Sequence, residues 1–286
     1  MIELELPEPD GKNVTVGRHS IHYIDMGSGR PTVFLHGGGP GCNGWTDFGT
    51  VAGTFAQNRR VILMDMLQYG HSSKEPFVAP RWSYHAKIIA QALDAIGIEN
   101  ADFVCNSIGG SAALALAAER PDLVGTLVLT GSEPVAEGAV PLTPELGHAG
   151  ITAWPNYYAD EGPTKAKLLD IMAQLEWTGA ENIPSWTFDL RWELSCQADL
   201  IALGADWSAG GGRGIPQDLS HHLPLVTART LFLWGDRDAF LTADYALSLT
   251  RKVEGSSLYV MANGPHHMEE ERPAEYAAVV SAFLDN

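Results

Sequence analysis

Short apolar runs separated by polar or glycine-rich stretches dominate the first part of the chain and return near its end. Ser20–Asp25, Thr32–Leu35, Arg60–Asp65, Asp102–Cys105, Thr126–Thr130, Thr230–Trp234 and Ser257–Met261 read as strands. Most of the central ones are continuously apolar rather than alternating, as in strands covered on both faces. Helical spacing covers Trp82–Ile96, Ser107–Glu119, Ala243–Val253 and Pro273–Leu284. In the last of these, Tyr276, Val279, Val280 and Phe283 recur at helical spacing, and Pro273 suits a first helical position. The alternation predicts an α/β fold, a mostly parallel sheet with helices on both faces.

The alternation breaks from about Glu133 to Leu223, which reads as helical and loop-like with no convincing strand and a flexible end, Gly210-Gly211-Gly212-Arg213-Gly214. The expected organisation is a core of residues 1–132 and 224–286 interrupted by a helical lid at 133–223. The insertion contains Trp154, Trp177, Trp186, Trp192 and Trp207, with Tyr157 and Tyr158. Most of these aromatics suit holding the insertion together. Its place after the fifth or sixth strand sets it over the carboxyl edge of the sheet, where ligands bind in open α/β folds.

Composition narrows the function classes. A length of 286 residues fits a single α/β domain with an insertion. A net charge of −17 argues against nucleic acid and anionic membranes as partners, leaving a small molecule. Met1–Pro7 has neither a basic nor an apolar signal region, and no run approaches a membrane span. Cys42, Cys105 and Cys196 are odd in number and widely spaced, as free thiols of a cytoplasmic protein would be. His221-His222 has no further ligand at metal spacing, so neither a metal nor a cofactor is expected. His71 and His85 read as surface or packing residues, and the sequon Asn13-Val14-Thr15 as chance.

The chemistry concentrates in four places. Phe103-Val104-Cys105-Asn106-Ser107-Ile108-Gly109-Gly110 runs from a strand into a small-residue helix. A serine there makes a sharp turn that lifts its hydroxyl off the sheet edge, the geometry of a nucleophile elbow, with Cys105 where the pattern has glycine. His36-Gly37-Gly38-Gly39-Pro40-Gly41 has four glycines in six residues, which let backbone N–H groups face a ligand atom. Gly38 or Gly39, with the N–H of Ile108, would make an oxyanion hole, each donor contributing about 3 kcal/mol. The loop lacks the spacing and the Lys-Ser/Thr ending of phosphate-binding loops. Leu231-Phe232-Leu233-Trp234-Gly235-Asp236-Arg237-Asp238 offers an acid, with Asp238 at the histidine-reaching position and Asp236 as a loop residue. Gly264-Pro265-His266-His267 offers a base, and Glu271-x-Pro273 sets the register that selects His266 over His267. The order Ser107, Asp238, His266 is that of α/β-hydrolases, distinct from two other serine-protease orders.

With these residues in view, the chain resembles the meta-cleavage-product hydrolases, which split carbon–carbon bonds in aromatic and steroid ring degradation. The resemblance rests on His36–Gly41, Trp45, Asn106-Ser107-x-Gly109-Gly110 and Arg191-Trp192-Glu193, and runs from about His22 to the end. It implies that Arg191 binds the carboxylate of a 2-hydroxy-6-oxo-dienoate, that Asn106 helps hold the substrate, and that the protein is a homodimer. Asp47 and His267 stand where the family usually has asparagine and tryptophan, at the substrate's polar head, where an ionised Asp47 would repel a dienoate. The alternatives on the same residues are a carboxylesterase or other ester, lactone or amide hydrolase, a proline iminopeptidase, and a non-catalytic hydrolase-fold receptor.

Overall fold

The computed structural model describes residues 1–208 and 212–286. Its strands are β1 (Lys12–Val16), β2 (His19–Gly27), β3 (Arg30–Leu35), β4 (Arg59–Met64), β5 (Phe77–Pro80), β6 (Ala101–Asn106), β7 (Val124–Thr130), β8 (Arg213–Ile215), β9 (Arg229–Gly235) and β10 (Ser257–Met261). Eight form one sheet in the order β1-β2-β4-β3-β6-β7-β9-β10. β1, β2 and β4 pair antiparallel, and every pairing from β4 through β3 to β10 is parallel. The mostly parallel sheet is the expected one, extended by the polar edge strand β1 that the apolar pattern does not announce.

Burial explains the unbroken apolar runs. In β3, Val33 and Leu35 face one apolar layer while Phe34 faces the other, and all three are completely buried. Successive side chains point to opposite sheet faces, so a strand covered twice needs apolar residues at both parities. The helices are α1 (Gly44–Phe55), α2 (Arg81–Ala95), α3 (Ile108–Glu119), α4 (Pro144–Tyr158), α5 (Lys165–Ile171), α6 (Ser185–Ser195), α7 (Ala198–Ser208), α8 (Ala243–Thr250), α9 (Met268–Glu271) and α10 (Pro273–Leu284). α2 and α3 cover one face through Ile89, Leu93 and Leu114. α1 and α10 cover the other through Phe48, Phe55, Tyr276 and Val280.

The insertion follows β7 and carries α4 to α7, with a π-helical turn at Met172–Glu176 continuing α5. It also contains a strand, contrary to the expectation from sequence. β8 is only three residues long and pairs with β5, tying the insertion to the segment that enters α2. Three residues containing Gly214 give too little β-branched pattern to read. Of the glycine-rich run, Gly210 and Gly211 lie outside the described residues. Among the described residues, no helix is long and apolar enough to cross a membrane.

Candidate active site

Ser107 sits between β6 and α3 with φ 52° and ψ −117°, a backbone region that side-chain-bearing residues avoid. Packing holds it there. The Ser107 N–H donates to the Thr130 carbonyl at 2.7 Å, and the Ser107 carbonyl accepts from the N–H groups of Gly110 and Ser111. A Cβ at Gly109 would lie 2.3 Å from the Leu35 carbonyl oxygen, so a glycine is what lets α3 approach β3 this closely. Cys105 takes the elbow's glycine position as a fully buried β6 residue, its thiol pushed up by burial.

His266 stands across the same cavity, which measures about 760 Å³ and is lined by Ser107, Ile108, Gly38, Gly39, His266 and His267 among others. Asp238 Oδ2 lies 2.8 Å from His266 Nδ1, and its Oδ1 accepts from the N–H groups of Phe240 and Leu241. Asp238 thus has a fixed orientation, and His266 Nδ1–H donates to it, leaving Nε2 as the basic nitrogen. Burial pulls the His266 pKa down, but Asp238, with Glu176 and Asp47 beyond it, outweighs burial and holds it above its ordinary value. Asp236 remains exposed near Arg237. Gly38 and Ile108 line the cavity together, and a Cβ at Gly38 would lie 3.1 Å from Ile108 Cγ2; the N–H of Ile108 is at the first position of α3, where the helix itself offers no acceptor. An oriented imidazole, a strained serine and N–H donors on one cavity wall can carry out acyl transfer.

The polar residues behind this wall are arranged differently from expectation. Arg191 is fully buried, paired with Glu176 through both Nη atoms, and its Nε donates to the Pro40 carbonyl at 2.9 Å. Glu176 lines the cavity and Arg191 does not. Asp47 is also fully buried and does not line the cavity; its Oδ2 accepts from the Gly37 N–H at 2.6 Å and its Oδ1 from the Thr46 hydroxyl. Asp47 shapes the glycine loop. Asn106 Nδ2 donates to Glu269 at 3.1 Å. His267 lines the cavity, stacks on Trp177 at 4.9 Å, and turns Nδ1 to Glu270 at 2.8 Å. Burial lowers the His267 pKa to about 3, so its ring is neutral. Burial, reinforced by Asp47, holds Glu269 and Glu270 well above the usual carboxylate range.

Sequence reasoning passed over Glu176, Glu269 and Glu270, and read Trp177 only as one of the insertion's aromatics. Of the three consecutive glutamates, Glu269 and Glu270 are buried, and only Glu271, the residue that set the histidine register, is turned outward, accepting from the Thr178 N–H at 2.9 Å. Among the described residues, two groups bring metal-ligand atoms within 4.8 Å of one another, Cys42–Asp47–His267 and His267–Glu269–Glu270. His267 Nδ1, common to both, and the Asp47 oxygens of the first already have the partners described above.

Residues 31–273 match the family model described as the alpha/beta hydrolase fold. The chain belongs to the α/β-hydrolase family. Within it, this α/β-hydrolase is 31% identical over 265 residues to the 2-hydroxy-6-oxo-6-phenylhexa-2,4-dienoate hydrolase of Comamonas testosteroni, covering 92% of this chain and 91% of that one. It is 30% identical over 270 residues to the 2-hydroxy-6-oxononadienedioate/2-hydroxy-6-oxononatrienedioate hydrolase of Paraburkholderia phymatum, covering 92% and 90%. The solved 2-hydroxy-6-oxo-6-phenylhexa-2,4-dienoate hydrolase from Rhodococcus superposes with a TM-score of 0.79 at 22% identity, covering 98% of this chain and 99% of that one, a likeness of fold.

Proposed function

We propose that this α/β-hydrolase cleaves a carbon–carbon bond in 2-hydroxy-6-oxo-dienoate ring-fission products. What carries the reading is the Ser107 elbow facing a cavity shared with His266, itself held by Asp238, in a chain whose relatives are named for such dienoates. His266 assists proton transfer to C5 as the dienol becomes the vinylogous 1,5-diketone, then takes the Ser107 proton as the hydroxyl attacks the 6-oxo carbonyl. The N–H groups of Ile108 and Gly38 or Gly39 hold the oxyanion. The C5–C6 bond breaks with its electron pair delocalised into the 2-oxo-enoate, and the acyl group remains on Ser107. Water, deprotonated by His266, releases it. No step calls on a cofactor.

A second reading, ester hydrolysis by the same residues, is favoured by the Arg191–Glu176 pair, which cancels the cation expected at a dienoate carboxylate. Steady-state rates on a yellow ring-fission dienoate and on a panel of nitrophenyl esters separate the two. The proposal expects bleaching of the dienoate with kcat/KM orders of magnitude above that of any ester; the reverse order would replace it with the second reading.

A further inference from the structure

The charged and titratable groups that line the cavity opening on Ser107 fall into separate clusters. His266, His267 and Glu176 form one, the His267 N–H donating to the Glu176 carbonyl at 2.9 Å, with Arg191 neutralised behind Gly39. The cations that line it come from another part of the fold: Arg81, the first residue of α2, and Arg213, the first residue of β8. The β5–β8 pairing brings them together, and Arg81 Nε donates to the Arg213 carbonyl at 2.9 Å. Arg213 donates to the Tyr69 hydroxyl at 2.9 Å and lies over the Trp154 ring at 5.0 Å. Arg81 has the Trp82 ring at 5.5 Å, and among the described residues no carboxylate is paired with it. A partly buried guanidinium beside a second cation is costly to leave without an anion.

A second observation points the same way. Ser111, one turn along α3 from Ser107, lines the cavity with a buried hydroxyl that has no hydrogen-bond partner. α2 and α3 pack against each other, and Ser107, Ser111, Trp82 and Arg81 line the same cavity. Two acids also line the cavity: Asp218, whose carboxylate the Ser220 hydroxyl and N–H hold below its ordinary pKa, and Glu133; neither is among the groups that act on the Arg81 charge. Burial raises the Glu133 pKa above its ordinary value.

We propose that this part of the cavity is a carboxylate subsite in which Arg81 receives the anion, Arg213 adds to the field, and Ser111 offers a hydroxyl to the substrate between Arg81 and Ser107. The proposal rests on Ser107 as the nucleophile, and it names the substrate class: one that carries a carboxylate away from the reacting carbonyl. The carboxylate is either that of the dienoate fragment or one on the acyl side.

Two pairs of nitrophenyl esters test it without requiring dienoate turnover. One pair carries a carboxylate at the end of the acyl chain or lacks it, and the other carries it on the phenyl ring or lacks it. The readout is the ratio of kcat/KM for the charged over the uncharged member. One pair is expected to show a preference for the charged member that falls at least about tenfold in Arg81→Gln and is partly restored in Arg81→Lys. Loss in the acyl pair assigns the subsite to an acyl-side carboxylate; loss in the ring pair assigns it to the leaving fragment, the side of the dienoate carboxylate. Ratios unchanged by Arg81→Gln in both pairs overturn the subsite, whether or not dienoates prove to be substrates.

Discussion

Arg191 and Glu176 form a buried ion pair packed directly against Gly39, their Nη2 and Oε1 atoms 3.1 Å apart. A Cβ at Gly39 would lie 2.3 Å from both atoms, so the glycine of the loop and the ion pair behind it are one packed unit. Both charges sit at or below 3% side-chain exposure, where breaking a pair strands the survivor. Arg191→Met alone is expected to cost about 3–5 kcal/mol. Arg191→Met combined with Glu176→Leu, which removes both charges, recovers most of it. Urea unfolding of the three proteins is the check, and an equal or greater loss in the double variant would mean the pair is not what the region depends on.

Asp47 offers an electrostatic test. It raises the His266 pKa from a distance, alongside Asp238 and Glu176. In the proposed mechanism the base is neutral His266, which places the acid limb of kcat/KM above the ordinary histidine value of 6.5. Asp47→Asn keeps an acceptor for the Gly37 N–H but removes the negative charge. The protonated imidazole loses stabilisation, its pKa falls, and the acid limb moves to lower pH. A limb that moves upward, or stays in place, contradicts this electrostatic coupling.

Asp47→Ala goes further, because it leaves the buried Gly37 N–H without its acceptor. An unsatisfied buried donor costs about 1–3 kcal/mol, a fall in Tm of roughly 2–12 °C for a chain of this size. Thermal unfolding measures it. An unchanged Tm would place Asp47 outside the machinery that holds the glycine loop.

Much of the fold is legible in the chain because the parallel strands are buried twice and the helices that cover them keep a clear period. β6 and its serine stand out for the same reason, and the order Ser107, Asp238, His266 follows from the strand ends on which these residues sit. β1 is missed because Lys12-Asn13-Val14-Thr15-Val16 is a mostly exposed edge strand. α1 is missed because the buried Gly44, Thr46, Asp47 and Gly49 dilute its apolar face; its start is fixed instead by the reciprocal Asn43–Thr46 capping box. The polar end of the site is least legible. Arg191 looks available in sequence, since Glu176 reaches it only through the π-helical turn that ends α5. Asp47 looks like a substrate contact until the Gly37 N–H is seen to occupy it. Such pairings join side chains from separate elements, and no local spacing encodes them.

The central claim, that Ser107 forms the acyl intermediate of carbon–carbon cleavage, is tested most directly by rapid mixing of a phenyl-substituted ring-fission dienoate with the wild-type protein and with Ser107→Ala. The account predicts single-turnover bleaching by the wild type, and in the variant a bound dienoate whose spectrum persists with cleavage reduced by at least about a thousandfold. Cleavage by Ser107→Ala at the wild-type rate would contradict it.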